Sequence, residues 1–223
     1  MGTLSSALYN ATFYGIVDTG YVAPKDMFAK CRMLADSGVK IIQLRAKNED
    51  YRERRAMAYE LLPIFKNKNA PFFIINDDVD LAADICKEIE NAGLHIGQDD
   101  CPIAEARKAI GENRVLGLST HSPEQATCAN ENSNILDYFA VGPVYSTMTK
   151  PGRAAVGLEL VKFVSQQLCP SIPWFCIGGV NLKTVADVRK AGGERIVAVS
   201  DVLLPEDTSS AVRKLVDTFL ANG

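Results

Sequence analysis

The sequence has no apolar run long enough to cross a bilayer and no excess of basic residues. A membrane-spanning helix needs roughly 20 consecutive apolar residues, and no stretch of this chain approaches that length. The formal net charge is −3, so no general positive field draws the protein to nucleic acid or to an anionic membrane. We therefore expect neither nucleic acid nor a membrane as a partner, while a local basic site for a small anion stays compatible with this charge.

Metal-ligand and disulfide patterns are missing as well. The six cysteines are scattered without a CxxC pair, and there are two histidines. This spacing excludes a conventional zinc site. Most of the cysteines fall in helix or strand patterns, so we interpret them as small core residues in a reduced, cytoplasmic setting. The N-terminal segment has neither a basic region nor a long apolar core, and no signal peptide is expected. The P-loop motif is also absent.

What the sequence does contain is a regular alternation of short apolar runs and helix-like segments. The apolar runs end on turn residues, and the segments between them show helical spacing of apolar positions. The predicted strands are 13–17, 39–44, 72–75, 93–96, 114–118, 136–141, 173–177 and 195–199. The predicted helices are 24–37, 49–67, 79–91, 102–110, 123–130, 158–168, 182–191 and 207–220.

This alternation predicts an α/β fold with a parallel sheet and helices outside it. Eight strand–helix units in 223 residues favour a closed (β/α)8 TIM barrel over an open doubly wound sheet. No linker or low-complexity segment divides the chain, so we expect one domain over residues 1–223. In such a barrel, the chemistry is located at the C-terminal ends of the strands and in the loops that follow them.

Acidic residues follow two consecutive predicted strands in the segment 72–100. Asp77 comes just after the third strand, and Asp100 lies just beyond the fourth. Neighbouring parallel strands are roughly 4.8 Å apart, so the two carboxylates are expected to converge. Oxygen ligands of this kind suit Mg²⁺, which often bridges to a substrate phosphate. The alternative is that these acids are solvated turn residues or helix caps.

Cations end the second predicted strand. Strand alternation places Gln43, Arg45 and Lys47 on one side, and charge that faces the barrel is costly unless it is paired. These residues indicate an anion site, or else salt bridges to acids on a neighbouring strand. The other strand ends supply hydrogen-bond donors and one more lysine, namely Ser119, Thr147, Thr149, Lys150, Gly179 and Ser200. Together they predict a site for two phosphorylated groups and a metal.

Several of these segments resemble thiamine-phosphate synthase. The matching segments are QLRAK (43–47), NDDVDLA (76–82), GLHIGQDD (93–100), GLSTH (117–121), DYFAVGPVYSTMTK (137–150), IGGV (177–180) and VAVSDV (197–202). They occur in order over nearly the whole chain. The resemblance implies a TIM barrel that joins 4-amino-2-methyl-5-hydroxymethylpyrimidine diphosphate to 4-methyl-5-(2-phosphoethyl)thiazole. The products would be thiamine phosphate and pyrophosphate, released by a Mg²⁺-assisted dissociative mechanism.

The resemblance also implies roles for single residues. It assigns the pyrimidine diphosphate to Gln43, Arg45, Lys47, Asn76, Ser119 and Lys150, of which Arg45, Lys47, Ser119 and Lys150 are the catalytic residues. It assigns Mg²⁺ to Asp77 and Asp100, and the thiazole phosphate to Thr147, Thr149, Gly179, Val199 and Ser200. One position departs from the family pattern near the thiazole phosphate: Asp201 stands where a small or apolar residue is more usual. The expected partners are these small-molecule substrates, and a homo-oligomer stays open.

Three other functions fit parts of the sequence. A related thiazole tautomerase would use a histidine such as His121 for proton transfer, but it is not expected to keep both acidic segments and the Thr-x-Thr-Lys loop. A non-catalytic barrel that binds thiamine phosphates would not need the metal acids. A sugar-phosphate epimerase or isomerase would use its acids on a substrate carbon rather than to hold a metal.

Overall fold

The computed structural model describes residues 8–67, 69–146 and 155–223. Eight parallel strands close into a barrel in the order β1 to β8, each hydrogen-bonded to its neighbours along the chain and β8 back to β1. The strands are β1 Phe13–Asp18, β2 Ile41–Arg45, β3 Phe72–Asn76, β4 Ala92–Ile96, β5 Val115–Thr120, β6 Tyr138–Val141, β7 Trp174–Cys176 and β8 Ile196–Ala198. The predicted (β/α)8 barrel is confirmed.

Each strand is followed by a helix that packs on the outside of the barrel. The α-helices are α1 Met27–Asp36, α2 Tyr51–Leu61, α3 Val79–Glu88, α4 Ile103–Ile110, α5 Pro123–Glu131, α6 Gly157–Lys162, α7 Val185–Lys190, α8 Ser200–Leu203 and α9 Thr208–Leu220. No helix in the described part of the chain is both long and apolar enough to span a bilayer.

Several predicted helices differ from the observed ones in their bounds, and three of them change helix type along their length. The segment predicted from residue 24 opens with a 3-10 turn, Pro24–Asp26, before α1 begins. After α2 the chain tightens into a second 3-10 turn at Leu62–Phe65, because Pro63 has no N–H to continue the α-helical ladder. After α6 the chain continues as a π-helix, Phe163–Leu168. The short helix α8 was not predicted.

Apolar side chains form two separate layers because successive residues of a strand point to opposite faces. One layer lies between the strands and the helices and contains Val17, Ile42, Leu94 and many others. The second fills the barrel interior and consists of Leu8, Ala11, Tyr14, Ile16, Ile41, Ile74, Val115, Tyr138, Phe175 and Val197. Within it, the rings of Tyr14, Tyr138 and Phe175 meet edge to face with centroids 5.5–5.7 Å apart.

Side-chain caps and strand register bring polar residues to one end of the barrel. Asp50, Asp78 and Ser122 cap the first turns of α2, α3 and α5, so the chain turns sharply after the preceding strand. The register of β1 with β2 places Asp18 beside Arg45, and that of β3 with β4 places Asn76 beside His95. The carboxyl ends of neighbouring strands are therefore level with one another, which forms a continuous polar rim.

Candidate active site

Two adjoining cavities open at the carboxyl ends of the strands. The first, of about 330 Å³, lies over β1 to β5 and is lined by charged side chains from Arg45, Lys47, Asp77 and Asp100; we call it the charged cavity. The second, of about 390 Å³, lies over β6 to β8 and is lined by Gly178, Gly179 and neighbouring residues; we call it the glycine cavity. The two share a wall formed by Ser119, His121, Ala140, Ile177, Val197 and Val199. This arrangement suits two ligands that meet end to end.

Arg45 is held in the charged cavity by an acid on the neighbouring strand. Its guanidinium donates to the Asp18 carboxylate at 2.6 Å, with Asp18 only 1% exposed. The other oxygen of Asp18 accepts a hydrogen bond from the Gly20 N–H at 2.9 Å. Buried carboxylates of this kind need their hydrogen bonds fully made. The salt bridge weighed as an alternative for Arg45 is therefore present, and it orients the guanidinium while Arg45 still lines the cavity.

Lys47 forms an ion pair across the same cavity. Its ammonium lies 2.9 Å from the Asp77 carboxylate. Asp77 has a left-handed backbone, with φ of 63°, and its N–H donates to the His95 carbonyl at 2.9 Å. A left-handed aspartate is sparsely populated and is found where surrounding structure enforces it. The turn after β3 thus directs the Asp77 carboxylate towards the cavity.

Asp100 lies in the turn after β4, and its carboxyl is beside that of Asp77. The Gly97 N–H donates to its carboxylate at 2.6 Å. Burial raises the pKa of Asp100, and a hydrogen bond with the Asp77 carboxyl raises it further. The predicted convergence of the two acids is therefore present in the structure. Two neighbouring carboxylates resist being ionised together unless a cation lies between or beside them.

The two carboxylates fit a magnesium ion that is completed by substrate oxygens. Mg²⁺ is usually held by one or two carboxylates together with phosphates and waters, rather than by an all-protein cage. Within residues 8–67, 69–146 and 155–223, no group of three or more His, Cys, Asp or Glu side chains is placed to hold a metal. Asp77 and Asp100 therefore match a site that depends on a phosphorylated ligand.

A chain of five polar side chains crosses the barrel interior beneath the charged cavity. We call it the interior chain; its members, in order, are Gln43, Tyr14, Tyr138, His95 and Ser119. The Gln43 amide nitrogen is 2.8 Å from the Tyr14 hydroxyl, and the two tyrosine hydroxyls are 2.9 Å apart. His95 Nδ1 lies 2.9 Å from the Tyr138 hydroxyl, and Nε2 lies 2.9 Å from Ser119 Oγ. The two ends of the chain are predicted site residues.

The glycine cavity is lined mostly by uncharged residues and includes two consecutive glycines. Gly178 and Gly179 have left-handed φ values of 96° and 67°, and a Cβ on Gly179 would lie 2.6 Å from the Tyr145 Cβ. Only glycine fits such a turn without strain. Val199 and Ser200 line the same cavity where α8 begins. Asp201 also lines it, and its carboxylate accepts from the Leu182 N–H at 3.3 Å.

The structure places most of the predicted site residues at the two cavities. The charged cavity collects Gln43, Arg45, Lys47, Asn76, Asp77, Asp100 and Ser119. The glycine cavity collects Ser119, Gly179, Val199 and Ser200. Thr147, Thr149 and Lys150 lie outside the described residues. Ser146, which precedes them in the sequence, lines the glycine cavity.

The family of this chain follows from its match to known proteins. Residues 13–202 match the family model described as thiamine monophosphate synthase. The chain belongs to the thiamine monophosphate synthase family. Membership of this family agrees with the resemblance noted in the sequence motifs.

Individual members of the thiamine monophosphate synthase family are similar to this chain along most of their length. The thiamine-phosphate synthase of Arthrobacter sp. (strain FB24) is 40% identical in an alignment of length 199 that covers 80% of this chain and 82% of that protein. The thiamine-phosphate synthase of Acidothermus cellulolyticus is 35% identical over 221 residues, 98% of this chain and 99% of that protein. A solved structure of thiamine phosphate pyrophosphorylase from Pyrococcus furiosus superposes with a TM-score of 0.73 at 26% identity, covering 99% of both chains.

Sequence reasoning missed three residues that contact the predicted site residues or connect them to one another. Asp18, which ends β1, was not recognised as the partner of Arg45. Tyr14 and Tyr138 were not recognised as links between Gln43 and His95. Alternation along β1 could have indicated that Tyr14 and Asp18 share the inward face, since they are four residues apart. The pairing of Tyr14 with Tyr138 had no local signal, because β1 and β6 are not neighbours in the barrel.

Proposed function

We propose that the protein couples 4-amino-2-methyl-5-hydroxymethylpyrimidine diphosphate to 4-methyl-5-(2-phosphoethyl)thiazole, giving thiamine phosphate and pyrophosphate. The observation that carries this proposal is the pair of adjoining cavities with a shared wall, one charged and one lined by glycine backbone. A bond between two ligands has to form where their sites meet, and Ser119 lies at that junction. The family membership supports the same reaction.

The diphosphate is assigned to the charged cavity. Arg45 and Lys47 line it beside Asn76, and the sequence resemblance adds Lys150 to this group. A guanidinium held by Asp18 is already oriented, so it loses little freedom when it binds an anionic oxygen. Gln43 lines the inner part of the same cavity, where its amide suits the amino-substituted pyrimidine ring.

Mg²⁺ is assigned to Asp77 and Asp100. Their neighbouring carboxylates support this, since a dication relieves the repulsion between them. When bound, Mg²⁺ would neutralise part of the negative charge on the diphosphate oxygens. Lys47 pairs with Asp77 at 2.9 Å, so its ammonium would lie beside both the metal ligand and the substrate diphosphate.

The reaction that fits these groups begins with loss of the leaving group. The bond between the pyrimidine methylene carbon and the diphosphate oxygen breaks, and both electrons leave with pyrophosphate. Arg45, Lys47 and the Ser119 hydroxyl would stabilise the negative charge that develops on that leaving group, an electrostatic contribution from groups already in place. The thiazole nitrogen then donates its lone pair to the methylene carbon and forms the new carbon–nitrogen bond. Neither step needs a nucleophile from the protein.

The thiazole phosphate is assigned to the glycine cavity. Gly179, Val199 and Ser200 line it, and the sequence resemblance adds Thr147 and Thr149 to this group. The close approach of backbone that Gly179 permits suits hydrogen bonding to phosphate oxygens. No bond of the thiazole phosphate breaks in the reaction. The glycine cavity therefore has to bind and orient the thiazole without stabilising a leaving group.

A coupling assay tests the proposal. The protein is incubated with both substrates and Mg²⁺, and thiamine phosphate and pyrophosphate are measured. We expect equal amounts of the two products, with activity lost on chelation of Mg²⁺. A folded protein that forms neither product would refute the synthase assignment. Conversion of one thiazole tautomer to the other without coupling would instead favour a tautomerase acting through His121, which lines both cavities.

A further inference from the structure

The interior chain joins the two ends of the charged cavity through the barrel core. Gln43 and Ser119 both line the cavity, and Tyr14 and His95 lie along its floor. Tyr138 is fully buried and, of the five, is the one that lines neither cavity in the described structure. Polar groups in a core of this kind are costly unless every hydrogen bond is made. The four successive contacts of 2.8–2.9 Å meet that requirement.

Packing contacts within the barrel fix the side chains of the interior chain in position. Tyr138 packs against Gly117, where an added Cβ would lie 2.1 Å from the phenol carbon Cζ, so glycine makes room for the ring. Phe175 meets the rings of both tyrosines edge to face. Gln98 donates to the Ser119 carbonyl at 2.5 Å. These contacts leave the linked hydroxyls little freedom except for the direction in which their protons point.

When His95 is neutral, the hydrogen bonds of the interior chain can all point in either of two directions, which we call the first and the second order. A hydroxyl donates one hydrogen, and a neutral imidazole donates from one nitrogen and accepts at the other. In the first order, Gln43 donates to Tyr14, Tyr14 to Tyr138, Tyr138 to His95 Nδ1, and His95 Nε2 to Ser119. In the second, every bond is reversed, and the Gln43 amide turns to accept from Tyr14. Reversing the hydrogen bond at Ser119 therefore also reverses the hydrogen bond between Gln43 and Tyr14.

An anion at Ser119 selects the first order. In that order Ser119 Oγ accepts from His95, so its own hydrogen is available for an anionic oxygen. In the reversed order Ser119 donates to His95 and presents a lone pair to the anion, which repels it. Burial raises the pKa of both Tyr14 and Tyr138, so both phenols keep the hydrogen that each order requires.

The first order also determines what Gln43 presents at the opposite end. With one amide hydrogen given to Tyr14, the Gln43 carbonyl oxygen and its second amide hydrogen remain for the ligand. An acceptor beside a donor matches the exocyclic amino group and adjacent ring nitrogen of an aminopyrimidine. The reversed order commits the carbonyl oxygen to Tyr14 and offers two donors, which suits that edge less well.

We infer that Tyr14, Tyr138 and His95 are positioning residues that couple recognition of the diphosphate at Ser119 to recognition of the aminopyrimidine at Gln43. The inference rests on the proposed function, because it takes the pyrimidine diphosphate as the ligand. Binding of the anion and binding of the ring are then mutually strengthening. The binding energy of both is fully realised only when they arrive together as one substrate.

Two fragments of that substrate test the coupling. The affinity of 4-amino-5-hydroxymethyl-2-methylpyrimidine, which carries no phosphate, is measured by calorimetry with Mg²⁺ present, first without and then with saturating inorganic pyrophosphate. We expect pyrophosphate to tighten pyrimidine binding by at least about fivefold in the wild-type protein. Tyr138→Phe keeps the ring and removes the link, and it should reduce this effect to less than about twofold.

Two further variants keep the test decisive. Tyr14→Phe breaks the chain at a different bond and should give the same loss, which covers the case in which Tyr138→Phe does not fold. Tyr59→Phe is the matched control, because that phenol lies on α2 outside the barrel, stacked with Arg55. It should retain the wild-type coupling.

Three results would overturn the inference: wild-type coupling retained in folded Tyr138→Phe and Tyr14→Phe, no coupling in the wild-type protein, or no binding of the pyrimidine. The coupling assay described above then separates the two claims. If thiamine phosphate is still formed, the synthase assignment stands and the positioning role alone is rejected. If neither product is formed, both are rejected.

Discussion

The charged cavity and the glycine cavity lie side by side on one barrel rim and have similar volumes, about 330 and 390 Å³, yet they are built by opposite means. The charged cavity gathers long ionic side chains from several strands, as in the pairs Arg45–Asp18 and Lys47–Asp77. The glycine cavity instead exposes backbone at Gly178 and Gly179, where there is no side chain.

The contrast follows from what each end is proposed to do. A departing diphosphate accumulates charge during the reaction, so preorganised ions beside it lower the barrier. A phosphate that only anchors its substrate keeps the same charge throughout, and uniform binding by backbone donors is sufficient. Changes at the charged end should therefore affect turnover or the KM for the pyrimidine diphosphate, whereas changes at the glycine end should affect the KM for the thiazole phosphate alone.

The largest expected effect is at Asp77. Asp77→Asn removes the charge while keeping the shape, and asparagine tolerates the left-handed φ of 63° better than most residues do. We expect kcat to fall by at least about a hundredfold, with a higher Mg²⁺ concentration needed for half-maximal activity and a native circular dichroism spectrum. The control is Asp99→Asn, an exposed acid that lines the same cavity. Near-normal turnover in Asp77→Asn would refute its assignment as a metal ligand.

Next in size is the effect of Asp18→Asn. It leaves the Arg45 guanidinium, 12% exposed, without its carboxylate, and breaking a buried pair costs about 3 kcal/mol. Urea unfolding should show a loss of stability of that order, and KM for the pyrimidine diphosphate should rise by about tenfold because Arg45 is less well oriented. Asp84→Asn breaks the exposed pair with Lys87 and should change neither quantity. Equal behaviour of the two variants would show that Asp18 does not position Arg45.

A smaller effect is expected at the glycine end. Gly179→Ala places a Cβ 2.6 Å from that of Tyr145 at a φ of 67°, and a left-handed alanine costs about 1–2 kcal/mol. We expect KM for the thiazole phosphate to rise by about fivefold while KM for the pyrimidine diphosphate stays unchanged.

The control for Gly179→Ala is Gly38→Ala, which has a φ of 81° and no described atom within 4 Å of the added Cβ. It shares the backbone strain but lies after α1, away from both cavities. Gly38→Ala should therefore lower stability without changing either KM. An equal rise in both KM values for Gly179→Ala would show that the two cavities do not bind separate substrates.

The smallest expected effect is at Asp201, the one acid among the residues that line the glycine cavity in the described structure. Its negative charge opposes a bound phosphate, but it is partly exposed and screened. Asp201→Asn should lower KM for the thiazole phosphate by about twofold, as measured by steady-state kinetics at low salt. Asp217→Asn, an exposed acid on α9, is the control and should have no effect. A higher KM in Asp201→Asn would show that its contact with the Leu182 N–H matters more than its charge.

Much of the fold and part of the candidate site could be predicted from local patterns. Turn residues and apolar runs located all eight strands, and alternation along β2 indicated that Gln43, Arg45 and Lys47 share a face. The sequence did not indicate the α6 transition into a π-helix, the short helix α8, or the pairing of Asp18 with Arg45. A helix one turn long has too few residues for a periodic pattern, and an ion pair between strands depends on register.

The sequence by itself determined the alternation of eight strands with helices, the family, and the positions of the acids and cations along the chain, because each of these follows from residue patterns within short segments. Tertiary structure alone decided how the interior chain connects Gln43 to Ser119. Its members come from β1, β2, β4, β5 and β6, and two of those contacts join strands that are not neighbours. Such side chains meet only when the sheet closes on itself, and closure is a property of the whole barrel.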